Sequence, residues 1–207
     1  MKSGGWSFVA LGAQSALSVS PRVGRRRRER ATEIPQEALR VEISREKFAK
    51  KDVRGTGRRT GMDMTWVTDR IAVGGGIWNA GNMAALARAG ITHIIDMQIE
   101  FDDTPLAEEH GIEVCWNPVD DDFEPKPAEV FDCGVEFGLA ALEGSGAKLF
   151  IHCAAGVHRA PMMTLARLGV MGLTVEDAMD LIEGRRPVAD FAEVYVRSVE
   201  DYLKGRG

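Results

Sequence analysis

The stretch from Lys148 to Leu168 constrains this chain more than any other. Lys148-Leu149-Phe150-Ile151 is short and largely apolar, as a buried strand is. His152-Cys153-Ala154-Ala155-Gly156-Val157-His158-Arg159 follows, and Ala160-Pro161-Met162-Met163-Thr164-Leu165 then reads as a helix with proline in its first turn. A small-residue loop between a strand end and a helix start can turn several backbone N–H groups toward one point, where an oxyanion binds. Cys153 and Arg159 stand at the two ends of that loop. Cys153 is therefore a candidate nucleophile, and Ala154, Ala155, Gly156, Val157, His158 and Arg159 are candidate substrate-binding residues. A core thiol beside a solvated arginine is the plainer alternative. It explains neither the small residues nor a cation at a helix N-terminus, where the macrodipole disfavours one.

The chemistry sets requirements on this loop. An ordinary thiol is only a few per cent ionised near neutrality, so the helix dipole, the loop amides and Arg159 must together favour the thiolate. A guanidinium presents a planar fork that grips two phosphate oxygens at once, which lysine cannot do. We expect His152 to brace the loop through hydrogen bonds to backbone, and His158 to sit at the pocket rim, adding charge there or lying simply exposed.

Around this loop, strands and helices alternate. Strand character covers 65–73 and a turn follows at Gly74-Gly75-Gly76. Ala80–Ala89 reads as a helix ended by Gly90, Ile91–Met97 as a strand, Pro105–His110 as a short helix and Ile112–Asn117 as a strand. Pro127–Leu142 is a long amphipathic helix with Val130, Phe131, Val135 and Leu139 near one face. Helices over 160–171, 175–184 and about 190–204 complete the pattern, the second opened by a capping box from Thr174 to Asp177. The expected fold is α/β, a single domain with a central, mostly parallel sheet flanked by helices. In such sheets ligands bind beyond the carboxyl ends of the strands, where Cys153 falls.

These residues resemble the cysteine-dependent protein phosphatases, in particular their dual-specificity branch. The HC-x5-R loop matches at His152, Cys153 and Arg159. Trp66-Val67-Thr68-Asp69-Arg70-Ile71-Ala72-Val73-Gly74 resembles the first strand pair of that domain, and Gly172–Ala178, Arg186-Pro187 and Phe191 resemble its C-terminal helical region. The resemblance spans about 62–205. It implies that Asp121 is the general acid, protonating the leaving oxygen and later activating water, with Asp120 and Asp122 as alternatives. Neighbouring carboxylates and a phosphate dianion both favour a protonated acid there. Ala160 departs from the family pattern, which places Ser or Thr after the arginine to ease departure of the thiolate; a slower second step follows from its absence. Plant glucan phosphatases carry a similar loop, matched at Cys153, Ala155, Gly156, Arg159 and Ala160. Trp78, Phe101, Trp116 and Phe123 are then either sugar-facing or, as their spacing favours, core or rim residues.

Charge divides the 207 residues unevenly. Residues 1–61 carry 15 Lys and Arg against 6 Asp and Glu, whereas 62–207 carry 11 against 25. We expect a basic, poorly ordered extension over 1–61 and a catalytic domain over 62–207. The extension can be read as a signal-like or organelle-targeting segment, or as sequence upstream of a true start at Met62 or Met64. The acidic domain repels nucleic acids and anionic membranes at long range. Cys115, Cys133 and Cys153 form neither a zinc pattern nor a disulfide framework, and Cys115 and Cys133 are expected as small core residues. His93 and His110 have no metal-ligand spacing.

The resemblance thus implies a phosphomonoester hydrolase acting through a phosphocysteine, needing no cofactor or metal. Its expected partner is a phosphorylated substrate, a protein carrying phosphotyrosine or phosphoserine/threonine; nucleic acid and membrane are excluded, and the chain is expected to be a cytoplasmic monomer. Alternatives are a phosphoglucan, lipid or small-metabolite phosphatase, a catalytically weak phosphate-binding module, and a rhodanese-like sulfur transferase, which needs no Asp121.

Overall fold

Side chains alternate across a strand, so an apolar run covered on both faces sorts its residues into two cores. Leu149 and Ile151 join one hydrophobic cluster while Phe150 between them joins the other. Ile95 and Ile94 divide in the same way, as do Ile71 and Val73 against Ala72. The computed structural model describes residues 61–206. The expected extension over 1–61 therefore lies outside the described residues, apart from Gly61.

The strands are β1 (Met64–Trp66), β2 (Ile71–Gly74), β3 (His93–Asp96), β4 (Glu113–Trp116) and β5 (Leu149–His152). They form one sheet in the order β1-β2-β5-β3-β4, parallel throughout except for β1, which runs antiparallel to β2. The helices are α1 (Ala80–Ala89), α2 (Thr104–Glu108), α3 (Ala128–Glu143), α4 (Arg159–Val170), α5 (Val175–Arg185) and α6 (Glu193–Gly205). One cluster gathers residues of α3, α4, α5 and α6 against the sheet; the other holds Met83 and Leu86 of α1 with Ala107 of α2. The α/β fold with a mostly parallel, helix-covered sheet is thus the observed one. Because β5 inserts between β2 and β3, its carboxyl end lies at the centre of the sheet's loop-bearing edge.

Most boundaries match the sequence reading, and the departures have local causes. The expected strand over 65–73 is two strands with a tight turn between them. Thr68 Oγ1 accepts from the N–H groups of Arg70 and Ile71, and Val67 N–H donates to Ile71 O. The Thr174 hydroxyl caps α5 by accepting from Asp177 N–H at 3.1 Å. The last helix begins at Glu193 rather than near 190, and Asp190 N–H donates to Val157 O of the cysteine loop.

Helix α3 approaches the sheet and α4 along two glycines one turn apart. A Cβ at Gly134 would lie 2.7 Å from the Met163 side chain, and one at Gly138 would lie 3.1 Å from Leu149 Cδ2 and Arg167 Nε. Gly134→Val is expected to lower stability by about 1–3 kcal/mol through overpacking, read as an earlier midpoint in urea unfolding. An unchanged midpoint would show that α3 does not seat this closely.

Candidate active site

Residues 153–158 connect β5 to α4, and each carbonyl from 154 to 157 accepts from a donor outside the loop. Gly76 N–H donates to Ala154 O at 3.0 Å, and Asp190 N–H to Val157 O at 2.9 Å. Arg186 supplies the middle pair, Nε to Gly156 O at 2.8 Å and Nη2 to Ala155 O at 3.4 Å. Its outer edge is a two-point ion pair with Asp63, at 2.9 and 2.7 Å. The C=O and N–H of a planar peptide unit point in opposite directions, so outward carbonyls turn the following amides inward. Gly156 N–H duly donates to Cys153 Sγ at 3.2 Å. Gly156 has φ +66°, and a Cβ there would stand 2.5 Å from Gly74 O and closer still to Arg186; only glycine fits.

Cys153 and Arg159 are both buried, Cys153 just past the end of β5 and Arg159 as the first residue of α4. Arg159 makes a fork-to-fork pair with Glu100, at 3.1 Å from Nη1 and 2.9 Å from Nη2. Its Nη1 also donates to Val119 O at 3.0 Å and Met97 O at 3.3 Å. Burial works against the charge, but the hydrogen bond to Glu100 and the nearby Cys153 hold the guanidinium above its ordinary value. The same bond keeps the Glu100 carboxyl below its usual range. Among the described residues, Arg159 Nε is a buried donor without a hydrogen-bond partner. An oxyanion in the loop would supply its acceptor.

The three adjacent aspartates differ in surroundings. Asp122 pairs with Lys126, which holds its carboxyl below the usual range, and Asp120 is exposed. Asp121 reaches the cysteine loop: Oδ2 lies 3.1 Å from His158 Nδ1 and 3.7 Å from Arg159 Nε. On the other side, Tyr195 O–H donates to Asp121 Oδ1 at 3.1 Å. Burial pushes Tyr195 up to about 12, so its hydroxyl stays a donor. The loop is held in place by Phe123, a non-glycine residue at φ 58°, a conformation that costs of order 1 kcal/mol. Its N–H donates to Tyr195 Oη at 3.0 Å, and its ring stacks on Tyr195 and meets His158 edge-on.

Three expectations need correction. His152 does not brace the loop through backbone. Its Nε2 lies 3.0 Å from Asp103 and 3.6 Å from Asp96, all three residues are fully buried, and its ring stacks on Phe150. Their ligand-type atoms lie within 4.8 Å of one another. Asp96 also accepts the N–H groups of Gln98 and Asp103, so the cluster anchors the 97–103 loop that carries Glu100. His158 is not simply exposed but bridges Asp121 and, at 3.4 Å, Asp190. Cys133 is not a core residue: it is exposed, and its sulfur lies 3.3 Å from that of half-buried Cys115.

Trp78, Phe101, Trp116 and Phe123 are all exposed, on loops or ends following β2, β3 and β4, and so lie on the rim side rather than in the core. Glu100, Tyr195, Arg186 and Asp63 had escaped sequence reasoning as site residues. Arg186-Pro187 was visible only as a family resemblance, and Glu100 and Asp63 carry no local signal.

Burial pushes Asp96 from 3.8 up to about 6, with His152 opposing the shift. A folded-state value above the unfolded one contributes stability that is complete below the unfolded value and is lost as pH rises through the folded one. Wild-type stability relative to Asp96→Asn is therefore expected to grow as pH falls from about 6 toward 4. Parallel pH dependences in denaturant titrations would contradict this.

Comparison with known proteins fits this geometry. Residues 76–204 match the family model described as "Dual specificity phosphatase, catalytic domain". Human protein tyrosine phosphatase type IVA 3 is 33% identical over 103 residues, covering 49% of this chain and 58% of that protein. The chain thus spans a little over half the length of this relative. Among solved structures, PTPMT1 in complex with PI(5)P superposes with a TM-score of 0.61 at 17% identity, over 67% of this chain and 93% of that one. Human DUSP28 gives 0.59 at 22%, over 69% and 94%; both likenesses concern the fold. Among the described residues, no helix is long and apolar enough to cross a membrane. By the extent of the matched catalytic domain, the chain belongs to the dual specificity phosphatase family.

Proposed function

We propose that residues 62–207 form a catalytic domain that hydrolyses phosphomonoesters through a phosphocysteine, acting on phosphotyrosine and phosphoserine/threonine in proteins. The observation that carries this reading is Cys153 Sγ beneath a loop whose carbonyls from 154 to 157 are all held from outside, beside an arginine whose buried Nε has no hydrogen-bond partner. In the HC-x5-R loop, substrate phosphate takes the inward amides and the Arg159 Nε edge, while Glu100 holds the opposite edge of the guanidinium. Cys153 Sγ attacks phosphorus and the ester P–O bond breaks. Asp121 gives its proton to the departing oxygen, then takes one from the water that cleaves the P–S bond. His158 and Tyr195 orient its two carboxylate oxygens. We further infer a reducing compartment such as the cytoplasm, since only a free thiolate can attack.

A second substrate class, a phosphoglucan, is favoured by one observation: four exposed aromatic side chains, three on loops and Trp116 at the end of β4, at the catalytic edge of the sheet. Assays of phosphopeptides, a phosphoglucan and phosphoinositides side by side separate the classes, with Cys153→Ser as the inactive control.

Arg159→Lys is expected to lower turnover by roughly two to three orders of magnitude while the fold persists, because a point charge cannot follow the phosphoryl group through two contacts. Near-normal activity would remove the assignment. Asp121→Asn is expected to cost about 10²–10⁴-fold, with more lost on alkyl than on activated aryl phosphates and one limb of the pH–rate profile gone. A profile of unchanged shape would move the role to Asp120. With Ala160 in place of a hydroxyl residue, phosphocysteine should accumulate, and pre-steady-state traces should show a product burst; strictly linear traces would count against a slow second step.

A further inference from the structure

Away from the cysteine loop, two other thiols meet. Cys115 lies on β4, the edge strand of the sheet, and Cys133 lies in the second turn of α3. Although 18 positions apart, their sulfurs are separated by 3.3 Å, near van der Waals contact and without a bond. Cys133 is exposed and Cys115 half-buried, so one sulfur of the pair faces solvent. We propose that Cys115 and Cys133 are a second thiol-modification site, which hydrogen peroxide converts to a disulfide joining β4 to α3.

The balance is that of ordinary dithiol oxidation. The Cys133 sulfur attacks one peroxide oxygen, the O–O bond breaks, and the leaving hydroxide takes up the thiol proton as water. The Cys115 sulfur then displaces the sulfenic oxygen of Cys133, forming S–S; that oxygen leaves with the Cys115 proton as a second water. Two thiols give up two electrons and the peroxide accepts them. The order follows from the surroundings. Burial, then the adjacent Cys133 thiol, pushes Cys115 up to about 12, which keeps it protonated while solvent-facing Cys133 meets the oxidant.

The catalytic sulfur is not in reach of this pair. Cys115 is level with Ile95, and Ile95 with Ile151, across two strand spacings of β4, β3 and β5. That places Cys115 roughly 10 Å from Ile151 in the backbone, and Cys153 lies farther along the chain. Disulfides need Cα atoms within about 7 Å. The bond between Cys115 and Cys133 would close a covalent ring around residues 117–127, the loop that carries Asp121. Asn117 Nδ2 already ties the two ends of that loop by donating to Val130 O at 2.8 Å.

The test uses the reduced full chain carrying Cys153→Ser, so that oxidation of the catalytic thiol is absent. After exposure to hydrogen peroxide and alkylation, non-reducing peptide mapping is expected to find Cys115 joined to Cys133. The intact mass should fall by about 2 Da, and dithiothreitol should restore both thiols. Cys133→Ser in the same background should leave Cys115 open to alkylation after denaturation. Should the Cys153→Ser protein fail to fold, mapping of the wild type follows each cysteine separately and answers the same question. The proposal is overturned if Cys115 and Cys133 both stay alkylatable when Cys153 of the wild type is oxidised, if Cys133 passes to a sulfinic acid with Cys115 free, or if Cys133 is found joined to Cys153. None of these readouts depends on phosphatase turnover, so the outcome is separate from that of the proposed function.

Discussion

A six-residue loop of small side chains has no core of its own, and its shape comes from what pulls on its carbonyls. The turn after β2 pulls on Ala154, the end of α5 on Ala155 and Gly156, and the segment before α6 on Val157. These donors come from three distant parts of the chain, and together they turn the loop's amides toward Cys153. Arg186 is the central fastening. Its charge would be costly at this burial without Asp63, which meets it with both carboxylate oxygens. The shape of the cysteine loop therefore depends on an ion pair formed by residues that do not themselves face the loop's interior.

The second organising element is the division of labour around Arg159. Glu100 and two backbone carbonyls take Nη1 and one hydrogen of Nη2, leaving the Nε side of the guanidinium toward the loop and toward Asp121. This orientation presets the guanidinium before any oxyanion arrives, so little side-chain freedom is lost on binding. The Asp96–Asp103–His152 cluster beneath the 97–103 loop serves the same end, because that loop delivers Glu100. The surrounding domain is strongly acidic, with 25 Asp and Glu against 11 Lys and Arg over 62–207. Under the proposed function, attraction for phosphate is thus a local property of one arginine and a set of amides, and polyanionic substrates gain little at long range.

Much of this was legible along the chain because local chemistry sufficed. Gly90 ends α1 in the left-handed conformation, where the lack of a Cβ removes the steric penalty, and Thr174 opens α5 through its hydroxyl. The alternation of apolar runs and amphipathic segments was enough for a parallel, helix-covered sheet. Cys153 and Arg159 stood out because both ends of one loop lie close in sequence. Glu100 did not, since it is one acid among several in Glu100-Phe101-Asp102-Asp103, and nothing in its neighbours marks it as the partner of an arginine 59 positions later. Cys133 departs from its expected place for a related reason: lying in a helix does not say which face turns inward, and Phe131, Gly134, Val135, Gly138 and Ala141 are the residues that α3 buries.

By itself, the amino-acid order determined the elements, the fold class and the juxtaposition of thiol and guanidinium, because backbone preference, periodicity and a short loop act over a few residues. Only the tertiary structure decided which carboxylate holds Arg159, which aspartate of three reaches the loop, where His158 points and that Cys115 meets Cys133. Those pairings join groups tens of residues apart whose distances are set by how helices seat on the sheet, and no local rule carries that information.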